Sequence, residues 1–195
     1  MKTLIFTLFL IFALNTKIPS ATAEFVTDTD DRLLINGGTY YILPSFRGMG
    51  GGLGLTTTGT ETCPLTVAQD PNEASHGLPV RIASPYLINN IYEGLILDLS
   101  FTATPSCVPE PSRWTIAKEM PRGWSVKVAG YEGAMNGWFT IQRYRDDYKL
   151  MFCPRDSPSC SNLGIYMGED GNRRLVVNEG NPMAVMFKKV DTSAI

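Results

Sequence analysis

Short runs of β-branched and aromatic residues, separated by glycine, proline or aspartate, are the feature that most constrains the fold of this chain. From Glu24 onward the separators recur about every eight to twelve residues, a spacing typical of short strands joined by turns. No window beyond Ala23 has the apolar i, i+3, i+4, i+7 stripe of an amphipathic helix. The pattern predicts strands at residues 39–43, 53–57, 65–68, 80–82, 96–101, 114–118, 125–128, 138–144, 148–152, 164–167, 174–177 and 184–188.

Twelve short strands in one domain predict an all-β barrel or sandwich. Residues 138–144 alternate apolar and polar side chains, as a half-buried strand should. The polar residues 145–147, between two aromatic-rich runs, indicate a hairpin. The sequence shows no evident internal repeat, and periodicity alone does not choose between barrel and sandwich.

A secretory signal peptide is predicted at residues 1–23. Lys2 supplies a basic start, residues 4–14 form an apolar run, and Ala21-Thr22-Ala23 has the small-x-small pattern of a cleavage site. The apolar run is far shorter than the roughly 20 residues that span a bilayer. We therefore expect a mature domain at residues 24–195 that is secreted to the extracellular space, or delivered to the vacuole by the secretory pathway.

Charge and cysteine content narrow the class further. The formal net charge is −2, with mixed signs, which does not favour nucleic acid or a membrane surface as a partner. Four cysteines in an oxidising compartment predict two disulfides, for which three connectivities are possible. Cys153 and Cys160 flank a turn-rich hexapeptide that can bring them together. That pairing leaves Cys63 with Cys107, which would close a long loop.

Metal and enzyme chemistry have little support in the sequence. There is no Cys-x-x-Cys, and His76, the single histidine, is far from the later cysteines, so no metal or other cofactor is expected. A Ser-His-Asp triad would depend on His76, which lies in a polar turn. The 19 acidic residues suggest no particular glycosidase pair. The glycine cluster at 48–54 lacks the spacing of a phosphate-binding loop and indicates a flexible turn between strands.

Six segments, in order along the chain, resemble the plant Kunitz, or soybean trypsin inhibitor, family. They are residues 36–44 (NGGTYYILP), 50–53 (GGGL), 63–67 (CPLTV), 84–86 (SPY), 148–154 (YKLMFCP) and 173–177 (RRLVV). The resemblance spans nearly the whole mature chain and includes all four cysteines. It implies a monomeric β-trefoil with twelve strands in three pseudo-repeats. It also implies the disulfides Cys63–Cys107 and Cys153–Cys160, which the spacing already favours.

The same resemblance implies a non-enzymatic protein that inhibits a serine protease by presenting a rigid, substrate-like loop. Mapped by the Ser-Pro-Tyr motif, Leu87 is the primary specificity residue and Leu87–Ile88 is the bond presented to the protease. Asn36 is the residue expected to support the loop by hydrogen bonds to its backbone. A loop already held in its bound shape loses little entropy on docking. The loop consists of Ser84, Pro85, Tyr86, Leu87, Ile88, Asn89, Asn90 and Ile91.

Leu87 indicates a chymotrypsin-like target. Trypsin inhibitors of this family carry arginine or lysine at that position, and leucine would leave the buried aspartate of a trypsin pocket unpaired. A hydrophobic pocket, as in chymotrypsin-like enzymes, suits leucine.

Other functions stay open from the sequence: a storage or defence protein without a protease target, or an inhibitor of another hydrolase through a different surface. A carbohydrate-binding trefoil could use Trp114, Trp124 and Trp138, although tryptophan on a strand more often packs in the core.

Overall fold

The computed structural model describes residues 23–119, 123–128, 133–178 and 180–191 of the 195-residue chain. Apart from Ala23, the predicted signal peptide lies outside these residues. The described ranges contain strands and no helix. The strands are β1 Thr39–Pro44, β2 Leu53–Thr56, β3 Thr66–Gln69, β4 Val80–Ala83, β5 Asp98–Phe101, β6 Ser112–Glu119, β7 Gly123–Val128, β8 Gly137–Tyr144, β9 Asp147–Pro154, β10 Ser161–Met167, β11 Arg173–Asn178 and β12 Ala184–Lys189.

All twelve predicted strands are confirmed, with shifts of a few residues at their ends. β10 begins three residues earlier than predicted, because Ser161 and Asn162 pair with Phe152 and Met151 of β9, a contact without a periodic signal. The predicted hairpin joins β8 and β9 through two residues rather than three, since Tyr144 pairs with Asp147. Arg145 has a φ of 59° there, a left-handed conformation that tight two-residue hairpin loops require.

Strand pairing decides for a barrel and against a sandwich. Adjacent pairs β1–β4, β4–β5, β8–β9, β9–β12 and β12–β1 form most of a closed ring. The remaining gap, between β5 and β8, is bridged by backbone pairing of Leu97 with Phe139. Six strands therefore enclose the apolar core, and closure leaves no free barrel edge.

The other six strands form three hairpins that cap the barrel. The hairpins β2–β3, β6–β7 and β10–β11 meet through one strand each, since β3 pairs with β7, β7 with β11 and β11 with β3. A six-stranded barrel with three mutually paired cap hairpins is a β-trefoil. The cap contacts Thr66–Lys127, Ser125–Val176 and Ala68–Arg174 share no residue type. The threefold arrangement therefore lies in the backbone pairing, and these contacts leave no common residue type that would mark it in the sequence.

Within the glycine cluster at 48–54, Gly51 and Gly52 form a close-packed junction rather than a flexible turn, whereas Gly48 lies in an exposed turn after β1. Gly51 and Gly52 are buried, and their amides donate to the carbonyl oxygens of Asp70 (2.7 Å) and Ser75 (2.9 Å). A Cβ added to Gly52 would lie 2.0 Å from the His76 carbonyl oxygen. Only glycine allows the two backbones to approach this closely.

The disulfides are Cys63–Cys107 and Cys153–Cys160, the two pairs that the spacing favours. The second closes a short loop after β9. The first encloses residues 84–91 within its 44-residue separation. Chain segments on either side of those residues are therefore joined covalently.

Candidate functional site

Residues 84–91 leave the barrel directly after β4 and form its most exposed apolar loop. The Leu87 side chain is fully exposed and Tyr86 is about half exposed, whereas Ile88 is partly buried. Ile91, which the sequence places in the loop, is completely buried. It anchors the end of the loop in the core and cannot present its side chain to a partner.

Asn36 holds the loop through its side-chain amide. Its Nδ2 donates to the carbonyl oxygens of Ser84 (3.3 Å), Tyr86 (3.2 Å) and Ile88 (3.1 Å), so its two hydrogens are shared among three acceptors. Its Oδ1 accepts the Ser84 N–H at 2.7 Å. The opposite amide orientation would set an oxygen against three carbonyl oxygens, so this network determines how the amide points.

Backbone hydrogen bonds fix the exit of the loop against the segment before β1. The Asn36 N–H donates to the Asn89 carbonyl at 2.8 Å, and the Ile91 N–H donates to the Leu34 carbonyl at 2.9 Å. Ile35 and Asn90 form a bridge between these contacts. Sequence reasoning did not find this pairing, because it depends on residues far apart in the chain and no local pattern marks it.

A sharp turn places Leu87 at the tip. The Ile88 N–H donates to the Tyr86 carbonyl at 2.9 Å, across Leu87. Within the described part of the chain, the amide and carbonyl of Leu87 itself have no hydrogen-bond partner. The peptide groups around Leu87 are thus held from behind while its own polar groups face outward.

Gly37 and Tyr40 position Asn36. Gly37 has a φ of 79°, which favours glycine, and a Cβ there would lie 3.1 Å from the Arg81 guanidinium. The buried Tyr40 hydroxyl accepts the Ile35 N–H at 2.8 Å. Burial raises the pKa of the Tyr40 phenol, and the charge of Asp28 adds to the rise, although the Ile35 hydrogen bond opposes it. The Asn-Gly pair is the sequence signal that marks this turn.

The alternative sites considered from the sequence are not assembled. The described hydrogen-bond partner of His76 is Lys188, at 3.2 Å, rather than a serine or carboxylate. Trp114 is buried between Phe101 and Phe139, so it cannot belong to an exposed sugar platform with Trp124 and Trp138.

The described ranges contain no cluster of three or more histidine, cysteine, aspartate or glutamate side chains that could hold a metal ion. Nor do they contain a helix of the length and apolarity needed to cross a membrane.

A β-trefoil that presents one exposed loop, braced from behind by a side-chain amide, is a loop-presenting binding protein. Comparison with known proteins identifies the class more closely. A sequence profile of the legume Kunitz family, described as trypsin and protease inhibitor, matches residues 26–189. The chain therefore belongs to the legume Kunitz family of trypsin and protease inhibitors, which are inhibitors and not enzymes.

Individual relatives agree with this assignment. Trypsin inhibitor A of Glycine max is 43% identical over 206 residues, which cover 100% of this chain and 95% of that protein. Trypsin inhibitor BvTI of Bauhinia variegata is 44% identical over 175 residues, 86% of this chain and 97% of that protein. Soybean trypsin inhibitor, in its complex with porcine pancreatic trypsin, is similar in structure, with a TM-score of 0.81 and 42% identity over 86% of this chain and 100% of that chain.

Proposed function

We propose that this protein inhibits a chymotrypsin-like serine protease by docking the loop 84–91 in its active site. The Leu87 side chain enters the primary specificity pocket, and the Leu87–Ile88 peptide lies at the catalytic serine. The observation that carries the proposal is the fully exposed Leu87 at the tip of a loop whose flanking carbonyls are held by Asn36.

The bracing explains how a substrate-like loop inhibits instead of being consumed. The loop is ordered before it binds, so docking costs little conformational entropy. If the protease cuts Leu87–Ile88, the Cys63–Cys107 disulfide keeps both chain ends on one molecule. The Asn36 amide holds the Tyr86 and Ile88 carbonyls on either side of the cut. The new ends therefore stay near each other, which favours resynthesis of the bond.

Leu87 supports the preference for an apolar pocket. Leaving one partner of a buried charge pair alone costs about 3–5 kcal/mol, which corresponds to a loss of more than about a hundredfold in affinity for a trypsin-type pocket. An apolar pocket instead gains about 1.5–3 kcal/mol from covering the side chain. The exposed Tyr86 extends the apolar surface on the same side of the presented bond.

The test is a panel of chymotrypsin, trypsin and elastase assayed against the purified mature protein and two variants. Leu87→Arg should shift the preference from chymotrypsin to trypsin. Met167→Arg is the charge-matched control, because Met167 is also exposed but lies on β10, and it should keep the wild-type preference. If wild type and Leu87→Arg are both inert against the panel, the loop proposal fails. Inhibition of the same protease that survives Leu87→Arg unchanged would indicate that a different surface makes the contact.

We also propose that residues 1–23 are a signal peptide and that the mature protein is a secreted monomer. The fold supports this cleavage point, because the residues directly after it take part in the domain. The Glu24 carbonyl accepts the Glu93 N–H at 2.8 Å, and the Phe25 and Tyr92 rings stack at 4.3 Å. Expression in eukaryotic secretory cells should yield a protein in the medium with Glu24 at its N-terminus. Intracellular retention of the uncleaved chain would contradict the proposal.

A further inference from the structure

We propose that Asn36 is a deamidation site that the intact loop protects and that cutting the loop exposes. Deamidation would convert a cut inhibitor, which can still reclose, into one that cannot. Asn36 is followed by Gly37, and asparagine before glycine is the pair most open to this reaction, because glycine has no side chain to hinder it. The proposal rests on the proposed function only for the step in which a protease cuts the loop.

The reaction needs only water and a base from solvent. The Gly37 amide loses its proton and its nitrogen forms a bond to Cγ of Asn36. The Cγ–Nδ2 bond breaks, and the nitrogen takes up a proton from water and leaves as ammonia. Water then opens the five-membered imide at one of its two carbonyls, and the product is aspartate or isoaspartate at position 36.

The folded protein blocks both reacting groups. The Asn36 carboxamide is held by three carbonyl acceptors and by the Ser84 N–H, so it cannot turn toward the backbone. The Gly37 N–H donates to the Ile82 carbonyl at 2.8 Å, which keeps its proton from solvent base. Two of the three acceptors, Tyr86 and Ile88, lie on opposite sides of the Leu87–Ile88 bond. Cutting that bond removes the covalent link between them, so the cut ends, although still held by the Asn36 amide for most of the time, separate transiently and release the carboxamide.

Neither residue of the pair can be replaced without loss of the brace. Asparagine is needed at position 36 because its side chain donates to carbonyls and accepts an N–H at once. Glycine is needed at position 37 because its φ of 79° and the Arg81 contact disfavour a side chain. The turn that positions the loop therefore requires the sequence that deamidates most readily.

Deamidation would remove the donor and leave an acceptor in its place. An aspartate can still accept the Ser84 N–H, but its second oxygen would face three carbonyl oxygens now 3.1–3.3 Å from Nδ2. Isoaspartate also lengthens the backbone by one atom before Gly37. Either product should weaken inhibition by at least about tenfold, since two or three hydrogen bonds are lost and a carboxylate oxygen faces partly negative carbonyl oxygens.

The chain carries an internal comparison at Asn136-Gly137. Asn136 is exposed, and its side-chain amide makes no hydrogen bond to the described residues. Its backbone carbonyl accepts the Arg155 N–H at 2.9 Å, so it lies beside β8 and β9 rather than in the loop. Asn136 should deamidate in the folded protein at a rate that does not depend on whether the loop is cut.

The experiment incubates three forms of the mature protein at mildly alkaline pH. The forms are the intact protein, the protein cut once within residues 84–91 by limited proteolysis, and the protein unfolded in guanidinium. Reduction and digestion with trypsin then release residues 33–47 and 128–143, which contain Asn36 and Asn136. Each deamidated peptide is about 1 Da heavier and is quantified by mass spectrometry. Any endopeptidase that cuts the loop can be used, so this readout does not require inhibition.

Cutting the loop should raise the deamidation rate of Asn36 at least about tenfold above that of the intact protein, toward the rate of the unfolded protein. A loss of about 1.4 kcal/mol in local protection gives that factor. The Asn136 rate should stay the same in intact and cut protein. Equal deamidation rates of Asn36 in intact and cut protein would overturn the proposal.

In inhibition assays Asn36→Asp should inhibit at least about tenfold more weakly than wild type, and Asn136→Asp should inhibit as well as wild type. Full inhibitory activity of Asn36→Asp would also overturn the deamidation proposal. If wild type inhibits no protease but cutting still accelerates deamidation of Asn36, only the proposed function is refuted.

Discussion

Removing the Asn36 side chain tests whether a prepared loop is what makes the protein an inhibitor. In Asn36→Ala the carbonyls of Ser84, Tyr86 and Ile88 lose their shared donor, and the Ser84 N–H loses its acceptor. The two N–H groups and the oxygen of the amide amount to about three hydrogen bonds. At about 0.5–1.5 kcal/mol each, their net contribution is about 1.5–4.5 kcal/mol.

The lower part of that range applies here, because the loop is partly exposed and its freed groups can bond to water. A loss of about 2 kcal/mol in loop order predicts an inhibition constant about 30-fold weaker. The core is untouched, so the melting temperature should fall by no more than about 4–8 °C, the shift that a loss of about 2 kcal/mol gives in a domain of this size. Hydrolysis of the Leu87–Ile88 bond should become faster, because the cut ends are no longer held together.

The assay is the inhibition constant against chymotrypsin, measured together with thermal unfolding and the rate at which the loop is cut. Ser84→Ala is the matched control, since the Ser84 hydroxyl contact with the Tyr86 N–H is long, at 3.5 Å, and its loss should change the constant by less than about threefold. An Asn36→Ala variant that inhibits and resists cutting as well as wild type would refute the bracing argument. A large drop in melting temperature would instead show that Asn36 supports the fold as a whole.

Two further predictions concern stability. Replacing both cysteines of Cys63–Cys107 by serine should lower the free energy of unfolding by roughly 4 kcal/mol, and the same change at Cys153–Cys160 should lower it by roughly 2.5 kcal/mol. The two losses differ because the paired cysteines are 44 and 7 residues apart, and a longer loop restricts the unfolded chain more. Equal losses in denaturant titrations would contradict this loop-entropy reasoning. Burial raises the pKa of Tyr40, so above about pH 10 the unfolded phenol loses its proton before the folded one and stability falls with rising pH. In Tyr40→Phe, stability should fall less steeply with rising pH than in wild type. Parallel profiles of stability against pH for the two proteins would contradict this role of Tyr40.

Local patterns in the sequence were enough to predict the strands, whereas the site residues were predicted from the resemblance to the Kunitz family. Residues 138–144 alternate apolar and polar side chains because one face of β8 packs into the barrel, and a period of two is visible without the fold. Asn36-Gly37 marks a turn by its residue types alone. The cysteine spacing favoured the two disulfides that the structure contains, since a short turn between Cys153 and Cys160 limits the choice.

The tertiary structure decided what depends on residues distant in the chain. Closure of a barrel, through Leu97 and Phe139, is a pairing that no local period encodes. No local pattern shows that the His76 backbone excludes a side chain at Gly52. Nor does one show that Ile91, which the sequence places in the exposed loop, is buried in the core.

Through its resemblance to the Kunitz family, the sequence predicted which residue stands at the tip of the loop and which amide could brace it. Only the fold brings Asn36 within 3.3 Å of three loop carbonyls across 48 to 52 residues of chain. The physical reason is range: side-chain chemistry and turn propensity act between neighbours, whereas a hydrogen-bonded brace exists only when the closed barrel holds β1 beside β4.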